Sequence, residues 1–189
     1  MTDSLDAARK VAKDNIAAFE DTTFDSIVTL CASCALHLKE GYIKLFEGSE
    51  NMDPIKLKTF TDRIKPSSVF IKGHVKIKEK DDKKSVTFHT PCHLKGLENG
   101  VDCAKSILKS TGADLIIADE ENTCCGFGGS YSAKHPEISA TILDRKIEDF
   151  LKTGADIIAT DCPGCLLQLR GGIDKKGLNL EVRHITELL

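Results

Sequence analysis

Cys92 is followed by 31 residues, then Cys124-Cys125-Gly126, then 35 residues, then Cys162-Pro163-Gly164-Cys165. Neighbouring cysteines do not readily close an ordinary disulfide with each other, and two thiols add nothing to a core that one would not. A set of five exceeds what tetrahedral zinc needs. Thiolates in that number and softness suit an iron–sulfur cluster, zinc or copper(I). Gly126 directly after the vicinal pair gives the backbone room to take positive φ and approach a bulky inorganic core, with N–H groups turned toward sulfur. Adjacent cysteines on so free a loop can ligate different irons of one cluster.

The elements that must position these thiols can be read from the pattern. Apolar residues at Leu5, Ala8, Val11, Ala12, Ile16 and Phe19 predict a helix over 3–20. Ser26–Leu30 reads as a short strand, and Cys31-Ala-Ser-Cys34 follows it into a second helical pattern through Leu45. Asp53 and Pro54 open a helix to about Ile64, as N-cap and first helical residue. Strands are expected at 85–88, 114–118, 156–160 and 178–182, with helices at about 99–110 and 136–152, a short helix after Cys165 and a terminal turn at 184–189. Apolar strands alternating with helices predict an α/β fold, a Rossmann-like and largely parallel sheet flanked by helices. Every motif cysteine then falls at a strand-to-helix junction, where open α/β sheets place their sites.

The chain also repeats itself. A shift of 131 residues lays Asp25–Cys34 over Asp156–Cys165, so that Cys31 meets Cys162 and Cys34 meets Cys165. Ile16 falls on Ile147, Phe19 on Phe150, Leu36 on Leu167 and Leu38 on Leu169. The same shift carries the CCG triplet to before Met1, so the first repeat has its CxxC and lacks its CCG. The expected organisation is the end of a first repeat over 1–65, a charged linker or edge over 66–84 and a complete second repeat over 85–189. The sequence then reads as the C-terminal part of a longer protein, or as one whose missing ligands come from another chain.

Composition narrows the function. Net charge is −3 over 189 residues, which does not suggest a nucleic-acid surface. No apolar run approaches a membrane span or a secretion signal. A reducing, cytoplasmic setting is expected, where clustered cysteines mean metal or redox chemistry more often than disulfides. Gly128-Gly129 fits neither GxGxxG nor a Walker loop, and no nucleophile–base pair stands out.

The spacing C-x31-CCG-x35-CxxC resembles the cysteine-rich CCG domain, which occurs, usually twice, in the heterodisulfide reductases. It occurs too in iron–sulfur subunits of glycolate oxidase, lactate utilisation systems and anaerobic glycerol-3-phosphate dehydrogenase. The phrases TFHTPCHLKG, CCGFGGSYSAKHPEIS and TDCPGCLLQL look most like the glycolate and lactate branch. The resemblance spans almost the whole chain and implies that Cys92, Cys124, Cys125, Cys162 and Cys165 bind a [4Fe–4S] cluster, cubane or non-cubane. It implies that Cys31 and Cys34 belong to a first site whose other ligands are absent, with zinc a credible occupant. It further implies an electron-transfer subunit of a 2-hydroxy-acid oxidising complex, with a flavoprotein dehydrogenase partner, a missing N-terminal part or another iron–sulfur subunit, and membrane contact only through the complex, at its inner face. Two rivals remain: a heterodisulfide reductase-type domain whose cluster cleaves a disulfide, and a structural zinc domain. Outside the motifs, Cys103 is expected in the core, His93 beside the site without ligating, and His89 and His135 near it. His37, His74 and His184 are expected on the surface or in packing.

Overall fold

The computed structural model describes residues 2–20, 23–81 and 83–189. Its centre is a four-stranded, wholly parallel sheet in the order β4-β3-β5-β6, formed by Asp114–Ile116, Ser85–His89, Ile157–Thr160 and Glu181–His184. The expected α/β, Rossmann-like class holds. β5 is Ile-Ile-Ala-Thr and buried along its whole length, as a central parallel strand must be. After β3 the chain crosses to β4 on one side, then returns past β3 to β5 on the other. β3 and β5 are therefore neighbours whose connections leave in opposite directions. Right-handed crossovers place α6 (Gly100–Ser110) on one sheet face, packed with α5 (Ser67–His74). They place α8 (Pro136–Thr153) and α9 (Pro163–Lys175) together on the other face. A reversal of this kind opens a crevice beyond the carboxyl ends of the two strands.

The N-terminal part is smaller. α1 (Thr2–Ala18) packs on α3 (Tyr42–Phe46) and α4 (Pro54–Arg63). Asp53 caps α4, its carboxylate accepting from Ile55 N–H at 2.8 Å, with Pro54 at the first helical position as expected. β1 (Ile27–Thr29) pairs in parallel with β2 (Ile64–Pro66) in a separate two-stranded sheet. α2 (Ala32–Leu36) runs through a π turn at His37–Gly41 into α3.

Two elements depart from the sequence reading. β2 is three residues long, ends in proline and follows a helix without a break. Residues 66–84, expected as a charged linker or edge, begin with helix α5, whose Ser67, Ser68 and Ile71 are buried against the main domain. The mixed-charge stretch after it, over 76–81, has no regular structure.

The two parts are bolted together at Asp161, the residue after β5. Its carboxylate accepts from Ser67 Oγ at 2.8 Å and lies 3.4 Å from His184 Nε2. Its carbonyl accepts from Ala32 N–H at 3.4 Å. Burial pushes the Asp161 carboxyl pKa up, against the hydrogen bonds from Ser68 and Ser67 and the nearby His184, which pull it down. Ser67→Ala removes one donor from this carboxylate. We expect a loss of about 1–3 kcal/mol in urea unfolding, the usual cost of leaving a buried acceptor short of a partner, with earlier proteolysis of residues 2–66. Wild-type stability would show that the contact does not join the two parts.

Candidate metal centre

Six thiols meet in the crevice. Cys31, Cys92, Cys124, Cys125, Cys162 and Cys165 line a cavity of about 500 Å³, walled on one side by Phe127 and Gly164. No disulfide is present; all eight cysteines are free. Cys92 follows β3, Cys124 and Cys125 lie in the loop after β4, and Cys162 and Cys165 follow β5 at the start of α9. Of the residues expected at a site, Cys34 alone among the cysteines stays outside the cavity wall, and it is exposed. Cys103 is half-buried on α6, remote from the motif, with burial raising its thiol pKa.

The vicinal pair divides between two levels. Cys124 is exposed and interacts with Cys92, also exposed, at the mouth. Cys125, Cys162 and Cys165 are buried on the floor. There the sulfurs lie in a row in which each shifts the next, Cys125 to Cys165 to Cys162 to Cys31. The row alternates. Cys125 is held low by the neighbouring Cys165 thiol, and Cys162 by those of Cys165 and Cys31. Cys165 and Cys31 are pushed up by those same neighbours and by burial. Cys92 is pushed up by burial and by the neighbouring Cys124 thiol. Backbone N–H groups of Cys165 and Gly164 face the Cys162 sulfur, and that of Phe127 faces Cys125.

Gly126 does what its position suggested. It sits at φ +86°, and a Cβ there would lie 2.6 Å from the carbonyl oxygen of Ser139. Its N–H donates to Cys124 Sγ at 3.3 Å, and its carbonyl accepts from Ser139 Oγ at 2.8 Å. A Cβ on Gly164 would come within 2.9 Å of the Phe127 ring, so the CxxC and the CCG loop close on each other only through glycine. The approach to the triplet is pinned by α8: Asp149 Oδ2 accepts from Glu120 N–H at 2.9 Å, and Lys146 Nζ donates to the Glu120 carbonyl. Lys146 is wholly buried, its ammonium 4.6 Å from the centre of the Phe150 ring, and burial lowers its pKa to about 8.

His89 is the residue whose importance the sequence understated. It ends β3, is fully buried, and neither ring nitrogen has a hydrogen-bond partner. One of these nitrogens lies within 4.8 Å of both the Cys125 and Cys165 sulfurs. All six partnerless buried side-chain atoms among the described residues belong to β3, β5 or the residue following each: Thr87, His89 (two), Thr90, Thr160 and Asp161. Native interiors rarely leave so many polar atoms idle in one place without a group to serve. His93 stands beside the site as expected, its Nδ1 2.8 Å from Ser33 Oγ. His135 packs on Tyr131, off the cavity wall. His184 is buried and bonds Leu30 O at 2.9 Å through Nε2.

The donor set fits a soft metal or an iron–sulfur core: thiolates in excess, N–H donors at the sulfurs, and a floor that already sheds protons.

A profile of the cysteine-rich CCG domain matches residues 1–39 and 86–170. Lactate utilization protein A of Geobacillus sp. (strain WCH70) is 34% identical, the match covering 96% of this chain and 76% of that protein. The protein of that name from Shouchella clausii is 33% identical, with 96% and 75% covered. That from Bacillus cereus (strain G9842) is 34% identical, with 98% and 77% covered. The chain belongs to the cysteine-rich CCG-domain family.

Two outcomes are expected. Thiols whose pKa is raised, Cys92 and Cys165, must lose protons to ligate, so loading releases protons and affinity rises with pH. A chelator-competition titration between about pH 6.5 and 7.5 should show roughly tenfold tighter binding per released proton; pH-independent binding would contradict the protonated row. Gly126→Ala forces a Cβ against the Ser139 carbonyl at positive φ, at a cost of about 1–3 kcal/mol. It should retain less metal than wild type, measured by plasma emission after desalting.

Proposed function

We propose that this CCG-family chain holds a [4Fe–4S] cluster through Cys92, Cys124, Cys125, Cys162 and Cys165, and relays electrons within a system that oxidises lactate. The observation that carries the reading is the division of the thiols into a mouth pair and a buried row. A single tetrahedral ion takes four ligands, so it would leave at least one of the five thiols idle. A multi-iron core with bridging sulfide spans both pair and row. When bound, such a cluster takes up and gives back single electrons, at a potential set by hydrogen bonds to its sulfurs and by burial.

The residues of this chain supply those settings. The N–H groups of Gly126, Phe127, Gly164 and Cys165 face sulfur and stabilise negative charge there. The His89 ring stands beside Cys125 and Cys165 as a further donor. Lys146 puts a buried cation behind the triplet, and Phe127 keeps water from one wall. Cys92 and Cys124 remain exposed, so the cluster edge is open to a partner at the mouth. The substrate class rests on the relatives' name, which points to lactate rather than glycolate. In this reading a flavoprotein dehydrogenase oxidises the hydroxy acid and passes electrons here, and a quinone or another acceptor takes them on, with the chain in the cytoplasm at the inner face of the membrane. No helix among the described residues is long and apolar enough to cross a membrane, which agrees with contact through partners only.

One observation favours a second reading. His89, Cys125 and Cys165 form a compact trio of the ligand types zinc prefers. Metal and acid-labile sulfide analysis of anaerobically purified protein separates the two. About four irons and four sulfides per chain are expected for the cluster, with a brown colour that Cys124→Ser diminishes. One zinc without sulfide would overturn it. Electron relay is tested separately: the cluster should bleach on adding a lactate-reduced flavoprotein partner, and a cluster that stays oxidised would remove the relay.

A further inference from the structure

The resemblance implies that Cys31 and Cys34 belong together to a first site. The structure separates them. Cys31 lies on the wall of the six-thiol cavity together with Cys162. Cys34, three residues on, is exposed and off that wall.

The placement of Cys31 is fixed by contacts on both sides of it. Leu30 O is 2.9 Å from the buried His184 Nε2. Ala32 N–H donates to Asp161 O, the carbonyl directly before Cys162. Ser33 Oγ lies 2.8 Å from His93 Nδ1, directly after Cys92, and 3.9 Å from Cys162 Sγ. Thr29 Oγ1 donates to the Cys31 carbonyl at 3.0 Å, and Ala32 and Ala35 are buried beneath the turn. The chain on either side of Cys31 is thus tied to the residues flanking two motif cysteines. A metal core bonded to Cys162 lies in the cavity that the Cys31 thiol also lines.

We propose that Cys31 is a sixth thiolate of this same centre, contributed by the N-terminal part, and that Cys34 is not a ligand. Resting on the cluster reading above, this makes the centre a joint between the two parts of the chain. Loading it ties residues 27–35 to β5 through metal as well as through hydrogen bonds. Cys31 gives up its thiol proton on ligation, as the motif cysteines do.

The test compares alkylation of the empty and metal-loaded protein by iodoacetamide, read by peptide mass spectrometry. Loading should protect Cys31 together with the five motif cysteines, while Cys34 and Cys103 react alike in both states. Occlusion without bonding is distinguished by Mössbauer spectroscopy of 57Fe-loaded protein. Cys31→Ala should change the parameters of one iron site and speed iron loss to a chelator by roughly tenfold or more. Cys34→Ala should change neither, and thermal unfolding of the empty variants shows whether each still folds. Cys31 alkylated equally fast with and without metal, or a Cys31→Ala spectrum identical to wild type, overturns the proposal. If the protein takes up no iron and sulfide, the cluster reading fails by itself. The alkylation comparison then runs on zinc-loaded protein, where an unprotected Cys31 overturns the proposal as well.

Discussion

Thiols crowded into a crevice cannot all be anions. Two thiolates about 4 Å apart repel by about 4 kcal/mol at an effective dielectric near 20. The floor of this crevice answers with retained protons: Cys125 and Cys162 are held low, Cys165 and Cys31 high, each low sulfur beside a high one. A positive core would remove the need for those protons. The arrangement around the crevice follows from this constraint. Backbone N–H groups are turned to the sulfurs and a lysine is buried behind the loop, while the Asp149 carboxylate on the same helix is occupied by the Glu120 N–H.

The sheet topology sets where the crowding occurs. Because β3 and β5 are neighbours with connections leaving in opposite directions, the loops after them diverge and leave a gap between Cys92 and Cys162. The loop after β4 crosses that gap. It meets the CxxC at close range through Gly164, whose missing Cβ leaves room for the Phe127 ring, and it lies against α8 through Gly126, whose missing Cβ leaves room for the Ser139 carbonyl. The vicinal cysteines then fall on opposite sides of one turn of chain. One faces the mouth with Cys92 and the other faces the floor with Cys165. Two adjacent thiols thus reach two levels of a single cavity, which no pair in a regular helix or on one strand face could do.

Much of this was legible in the sequence, and the parts that were not share a cause. SVTF and DIIAT announced β3 and β5 because central parallel strands are dominated by apolar and β-branched residues. The spacing of Cys92, the CCG triplet and the CxxC named the site because loop positions after parallel strands converge. β2 and α5 were missed. A three-residue strand ending in Pro66 has no alternation to detect, and α5 carries Gly73 and two serines whose burial comes from packing on α6. The burial of Lys146 and His184 was equally invisible, since each is satisfied by a partner far along the chain. The repeat showed that Cys31 and Cys162 are equivalent in sequence. It could not show that both line one cavity, because internal equivalence says nothing about how two units dock.

That docking bears on why the small N-terminal sheet sits where it does. Without residues 27–35, the Cys162 side of the cavity would open to water. The Asp161 carbonyl and the buried His184 would each lose a partner, and the exposed His93 ring would lose Ser33. Water in the crevice would weaken every N–H to sulfur interaction there, since each gains strength from low dielectric. The N-terminal part thus acts on the centre even before any metal bond to Cys31 is considered. It supplies the dry wall that lets a few oriented dipoles hold so much sulfur in one place. Asp161 is the keystone of that wall, taking Ser67 from α5 on its side chain and Ala32 from α2 on its backbone while standing next to Cys162. A rearrangement of the N-terminal part would therefore be felt first at Cys162, through one peptide unit, and the electrostatics of the centre would register it before any distant part of the sheet did.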